Sequence, residues 1–202
     1  MLAHYGPLRW WPGETPFEVM VGAILAQNTA WTNVEKAIHN LKSKKVLTPQ
    51  AMTALHPTAL ATLIRPAGFF RVKTKRLRSF LKFFLETYDG DVAKMKRVDL
   101  TILREQLLAV HGIGPETADS ILLYALEKPS FVIDAYTHRI LQRHFLSSEE
   151  TSYEELQALF TNRLAPEAPL YNEYHALLVN IGKDYCRTKP KCSECPLNGI
   201  NW

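Results

Sequence analysis

Three groups of side chains in this chain of 202 residues have the types and spacing to do chemistry. The first is a lone carboxylate, Asp134, placed where the apolar run Phe131-Val132-Ile133 meets Ala135-Tyr136-Thr137-His138-Arg139-Ile140. A carboxylate held in one direction can steady a positive charge that develops beside it, or orient and deprotonate water. Aspartate is also a favoured helix N-cap. The two readings are compatible, because a cap fixes the direction of its own carboxylate. The second group is Gly112-Ile113-Gly114-Pro115-Glu116-Thr117-Ala118-Asp119, which follows the apolar helical stretch Leu107-Leu108-Ala109-Val110. Its glycines permit a tight turn and the close approach of a partner. Pro115 suits the first position of a new helix. The amides that open such a helix are unpaired and partly positive, which suits a phosphate. The third group is Cys186, Cys192 and Cys195, the full cysteine complement of the sequence. An odd, tightly spaced set in a reducing compartment argues for a metal rather than a disulfide framework.

The elements that must position these groups read as helical nearly throughout. Apolar residues recur at helical spacing at Phe17, Met20, Val21, Ile24 and Leu25, and again at Leu77, Phe80, Leu81, Phe84 and Leu85. Leu100, Leu103, Leu107 and Leu108 follow Asp99, an expected cap. Leu170, Tyr174, Leu177, Leu178 and Ile181 mark a helix late in the chain. The run Phe131–Ile133 is too short and isolated to imply a sheet. The expected class is therefore all-α.

Hydrophobic residues make up 47% and charged residues 22%, the balance of an ordinary globular protein. The start of the sequence carries no charged stretch leading into an apolar one, and no run is long enough to cross a bilayer. A cytoplasmic protein without a membrane partner is expected. The net charge is +4, and cations gather at Arg71, Lys73, Lys75, Arg76 and Arg78, at Lys42, Lys44 and Lys45, and at Lys94, Lys96 and Arg97. Such clusters attract a phosphate backbone by releasing its counterions. Each alone also suits a solvated helix face.

The glycine turn followed by Asp134, with Ile24-Leu25-Ala26-Gln27-Asn28-Thr29 before them and the cysteine tail after, resembles the helix–hairpin–helix DNA glycosylase superfamily, which includes endonuclease III. The likeness covers most of the chain. It implies two helical lobes, 16–128 and 1–15 plus 129–202, flanking a central catalytic cleft. It implies double-stranded DNA with a damaged base as the partner of a monomer. Asp134 takes the catalytic position, and Gln27 the position that fills the gap left by an everted nucleotide. Gly112, Gly114, Glu116 and Thr117, together with Lys73, Lys75 and Arg76, are expected to hold phosphates. Glu116 stands where bifunctional members carry the lysine that attacks the sugar. A carboxylate cannot form a Schiff base, so hydrolysis without strand cleavage is expected. Lys73 and Lys183 remain candidates for a substitute amine.

A narrower set, Trp10-Trp11-Pro12, Gln27-Asn28-Thr29-Ala30-Trp31 and Ile64-Arg65-Pro66-Ala67-Gly68-Phe69-Phe70, looks like the 3-methyladenine glycosylases of that superfamily. The resemblance puts Trp10, Trp11, Pro12 and Trp31 around the base, although such tryptophans also serve as core anchors. Electron-rich rings favour a cationic alkylated purine by about 0.5–2 kcal/mol per contact. A mismatch or oxidised-base glycosylase is the neighbouring enzyme alternative, and a non-catalytic DNA-structure binder is the other. The cysteine tail resembles the [4Fe–4S] tail of endonuclease III with one residue fewer in its first gap and Asn201 where a fourth cysteine would fall. Four thiolates normally hold such a cluster. Asn201 or solvent could complete it, and zinc or no metal are the alternatives.

Overall fold

In chain order the helices are α1 (Leu2–Tyr5), α2 (Pro16–Leu25), α3 (Trp31–Ser43), α4 (Pro49–Ala54), α5 (Pro57–Leu63), α6 (Phe70–Tyr88), α7 (Val92–Arg97), α8 (Leu100–Leu108), α9 (Pro115–Ser120), α10 (Ala135–Arg143), α11 (Tyr153–Thr161) and α12 (Ala168–Asp184). The structure, a computed structural model, describes every residue except Arg9, Trp11, Pro12, Asn201 and Trp202. The expectations for Trp11, Pro12 and Asn201 therefore lie outside the described residues. No strand occurs among the described residues. None of their helices is long and apolar enough to cross a membrane.

Short polar side chains start many of these helices by accepting the orphan amides of the first turn. Thr15 accepts from Glu18 N and Thr48 from Ala51 N. Asp99 accepts from both Thr101 N and Ile102 N, as its place in the sequence predicts. Ser152 and Glu155 form a reciprocal capping box at α11.

The chain divides into two compact units, Trp11–Lys128 and Met1–Trp10 with Pro129–Trp202. In the first, α6 lays Leu77, Phe80, Leu81, Phe84 and Tyr88 along one buried face. Phe80 and Phe17 stack on Phe84, and Met20, Ile24, Leu25 and Leu41 complete the same interior. Each such side chain contributes about 1.5–3 kcal/mol by leaving water. After α9 the chain continues as a π turn, Ile121–Ala125, whose five residues are all buried.

In the second unit, α10 packs on α12, and the close approach depends on Gly182. A Cβ there would lie 2.5 Å from Tyr136 Cδ1. The extended run before Asp134 is buried without any strand to pair with, so side chains satisfy its backbone. Tyr153 Oη accepts from Ile133 N at 3.2 Å, and Gln157 Nε2 donates to Phe131 O at 2.6 Å. Phe131 stacks on Phe160 with ring centroids 4.1 Å apart, while Tyr171 and Tyr174 meet it edge-on.

Two of the three cation clusters are partly neutralised within the molecule. Lys42 pairs with Glu14 and Glu18, Lys94 with Asp89, and Lys96 with Glu127.

Candidate active site and nucleic-acid interface

The glycine turn joins α8 to α9. Ile113 N donates to Val110 O at 3.0 Å, and Gly112 holds a left-handed φ of 85°. A Cβ on Gly112 would lie 2.2 Å from Arg76 Cγ, so glycine is required there by both backbone and packing. Gly114 differs. Its φ is −96°, and among the described residues nothing lies within 4 Å of where its Cβ would be. No internal contact asks for glycine at 114. The two helices are stapled by Arg104, whose Nε and Nη2 donate to the two oxygens of Asp119 at 2.8 and 3.1 Å. Thr117 is buried and Glu116 exposed in the first turn of α9.

Gln27 is tied to this hairpin. Its Nε2 donates to Gly112 O and to Thr117 Oγ1, both at 2.9 Å, and its Oε1 accepts from Arg76 Nη1 at 2.5 Å. One amide thus joins the end of α2, the side of α6 and the glycine turn. Lys75 is exposed one turn along α6. With Arg65 and Arg71 it lines a groove of about 430 Å³.

Lys73 overturns its expectation. It is 1% exposed, and its ammonium donates to Leu25 O at 2.8 Å and Ala67 O at 2.7 Å. Burial, with some repulsion from Arg76, lowers its pKa to about 8. A cation enclosed in this way reaches neither a phosphate nor a sugar carbon, which also removes it as a substitute lyase amine. The signal was legible: position 73 is in phase with Leu77, Phe80 and Phe84 on the buried stripe. Lys183, the other candidate amine, is exposed in the last turn of α12.

In the second unit, Asp134 caps α10, as its sequence position predicts. Oδ1 accepts from Thr137 N at 2.7 Å. Oδ2 remains outside the cap and faces His175 Nε2 at 3.7 Å, with the carboxylate side chain 13% exposed. His175 comes from α12 and is buried. Burial pushes its imidazole below the ordinary range, while the Asp134 charge pulls the other way. Burial thus favours the neutral imidazole beside Asp134. Sequence reasoning missed His175, although it lies in phase with Tyr171 and Leu178 on the buried side of α12.

The tryptophan expectations are only partly described. Trp10 is half-buried and belongs to the Asp134 unit. Trp31, at the first position of α3, is half-buried with its ring edge against Gly22 of α2. Phe69, part of the Ile64–Phe70 motif, has no role assigned by sequence and stands out in the structure. It is 63% exposed and holds a left-handed φ of 42° just before α6.

Cys186, Cys192 and Cys195 line one cavity of about 280 Å³ together with Arg143, His144, Tyr185 and Leu197. Burial raises the Cys195 thiol, and the other two thiols add to the rise. Arg139 donates to Cys186 O and Gly182 O, and Arg143 to Cys186 Sγ, Arg187 O and Thr188 O. The cysteine loop is thereby fastened to the helix that Asp134 caps. Among the described residues no three His, Cys, Asp or Glu side chains converge as the ligands of one metal ion must. A cluster sets a different requirement, because each thiolate takes its own iron. The three thiols supply three of the four thiolates such a cluster normally takes.

The family model described as HhH-GPD superfamily base excision DNA repair protein matches residues 21–166. A protein of Methanocaldococcus jannaschii, named provisionally as a DNA repair glycosylase, is 47% identical over 98% of this chain and 90% of its own. Endonuclease III of Thermotoga maritima is 31% identical over 89% of this chain and 79% of its own. Among solved structures, H. pylori 3-methyladenine DNA glycosylase bound to 1,N6-ethenoadenine superposes with a TM-score of 0.75 at 30% identity, covering 90% of this chain and 91% of that one. An endonuclease III–DNA complex, with a TM-score of 0.78 over 92% of this chain and 82% of that one, is 22% identical and shares the fold. With its all-α helices, its glycine hairpin and a family match across most of its length, the chain belongs to the HhH-GPD superfamily of base excision DNA repair proteins.

Proposed function

We propose that this protein is a monofunctional DNA glycosylase that hydrolyses the N-glycosidic bond of alkylated purines such as 3-methyladenine. The observation that carries the reading is the Asp134 carboxylate, with one oxygen spent on the α10 cap and the other left outside it, partly exposed. As the base departs, the deoxyribose becomes electron-poor. A fixed carboxylate oxygen stabilises that charge without reorganising. The same oxygen orients the water that completes the reaction. The neutral imidazole of His175 faces it and restricts where that water can sit.

DNA is engaged from the other unit. Gly114 leaves open space at the start of α9, where a phosphate approaches the amides of Gly112, Gly114 and Glu116. Thr117 keeps its hydroxyl on Gln27, so its part is to hold that amide in place. Arg71, Lys75 and Arg65 supply charge beside the turn that carries Phe69. Exposed apolar wedges between base steps help evict a nucleotide into a pocket. Phe69 fits that role, and Gln27 fills the vacancy. Trp31, half-buried at the head of α3, is the described aromatic of this unit that the resemblance puts against the base, where stacking is worth about 1–3 kcal/mol. The likeness to the H. pylori enzyme supports an alkylated purine as the substrate.

Strand cleavage is not expected, because Glu116 offers no amine and Lys73 is enclosed; of the two candidate amines that leaves Lys183, which the nicking assay below tests. Cys186, Cys192 and Cys195 would hold three irons of a [4Fe–4S] cluster. Bound there, the cluster would staple the tail and take no part in base hydrolysis.

A lesion panel tests the reading. Release of 3-methyladenine from alkylated DNA, with nicks appearing only after alkali, is the expected result. Release of oxidised pyrimidines or mismatched thymine instead, or nicking before alkali, would move the assignment to the endonuclease III type. No release from any lesion would leave a DNA-structure binder.

A further inference from the structure

Two turns of the Trp11–Lys128 unit carry side chains suited to entering DNA, and one buried cation joins them. A helix's last carbonyls have no partner within the helix. That of Leu25, the last residue of α2, lies two residues before Gln27, and that of Ala67, the last of the 3-10 turn Arg65–Ala67, lies two before Phe69. Lys73 Nζ takes both, at 2.8 and 2.7 Å. Its backbone amide takes a third, Phe69 O, at 2.9 Å. The short stretch Gly68-Phe69 is therefore gripped at both ends by a single residue.

The local chemistry works against every part of this arrangement. The ammonium of a residue 1% exposed loses its hydration and meets no carboxylate among the described residues in return. An apolar side chain at 73 would continue the stripe of Leu77, Phe80 and Phe84 without that penalty. An aromatic residue at φ 42° costs about 1 kcal/mol or more in backbone strain, and its ring stays 63% exposed. What an apolar residue at 73 cannot do is bind two carbonyls from separate segments. Arg76, three residues further along α6, binds the Gln27 side chain. Backbone and side chain of the Gln27 turn are both registered to the helix that follows Phe69.

We propose that Lys73 is a positioning residue that clips the Gln27 turn to the Phe69 turn, so that wedge and gap-filler enter the duplex at one fixed spacing. The proposal rests on the glycosylase reading only for the two side chains entering DNA. It assigns Lys73 no contact with substrate.

The test uses a duplex carrying one 1,N6-ethenoadenine, whose fluorescence is quenched while it is stacked. Extrusion is followed by stopped flow and base release by single turnover, for wild type, Lys73→Met, Phe69→Ala, Gln27→Ala and the double variants. Lys73→Met should slow extrusion of the lesion stacked opposite thymine in a full duplex by about 10–100-fold, the scale of a small misplacement. The same lesion in a bulge, with no base opposite it, should change by less than about threefold. On the Phe69→Ala background, Lys73→Met should add little, because the two act through one event. Equal losses on duplex and bulged lesions, or additive effects, would mean that Lys73 only supports the fold. If Lys73→Met does not fold, the Phe69→Ala/Gln27→Ala cycle in the wild-type frame decides. Strong non-additivity supports the clip, and additive effects overturn it. Absence of base release in every variant would show that ethenoadenine is not hydrolysed and leave the glycosylase reading to the 3-methyladenine panel, because extrusion is read independently of chemistry.

Discussion

Two aspartates, one in the hairpin and one at the head of α10, differ in how much of their charge the fold consumes. Asp119 is 0% exposed and gives both oxygens to Arg104. Its charge is cancelled where it stands, and nothing of its field remains for a substrate. Asp134 gives one oxygen to a backbone amide and keeps the other, facing a neutral imidazole rather than a cation. The cap holds it still without neutralising it. On the proposed function, the hairpin stays rigid under a phosphate and the capped carboxylate acts on a charge that exists only briefly.

The sharpest way to break this comparison is Asp134→Asn. Asparagine caps a helix as well as aspartate does, so the variant removes the charge and keeps the geometry. Base release should fall by about a hundredfold or more, while damaged-DNA affinity and the thermal midpoint stay close to wild type. Loss of stability together with activity would reduce Asp134 to a cap. Asp119→Ala should give the opposite pattern. It leaves Arg104 without its carboxylate and should cost about 3 kcal/mol in urea unfolding, with kcat nearly unchanged in the folded fraction.

The two hairpin glycines sharpen the contrast further. Gly112→Ala forces a Cβ against Arg76 at a left-handed φ and should destabilise by about 2 kcal/mol. Gly114→Ala has free space and ordinary backbone, so stability should hold within about 0.5 kcal/mol. Its loss should appear in DNA affinity, read by fluorescence anisotropy against salt.

The smallest effect concerns acid. The ordinary value of a histidine here is 6.5, and burial lowers that of His175. In the window just below 6.5 the unfolded chain binds the proton more readily than the folded one. Stability present above that window is therefore lost as the pH falls through it, by at most about 1.4 kcal/mol per pH unit. His175→Gln should flatten that part of the thermal-midpoint profile. An unchanged slope would show that the imidazole is already protonated beside Asp134.

Much of this was readable before folding was considered. The caps at Asp99 and Asp134 follow from residue type at the head of an apolar period, and the hairpin from its glycines and proline. Phe131–Ile133 was correctly not a sheet, and its extended backbone is satisfied by side chains of α11 that no local pattern reveals. Lys73 misled because a cation in a run of cations reads as surface, whereas its phase along α6 places it inside. Phe69 was quoted within a motif, but which of two adjacent aromatics turns outward depends on the backbone at 69.

Local residue chemistry, then, determined where helices begin, where the turn must be glycine and which carboxylate is held by a cap. Only the tertiary structure decided what each charged group meets. Lys73 finds Leu25 across 48 residues, Gln27 finds Thr117 across 90, and His175 arrives beside Asp134 from another helix. Capping and turn formation are settled by neighbours within a few residues. The environment of a charge is set by whichever distant atoms share its small volume, and that volume exists only once the chain has packed.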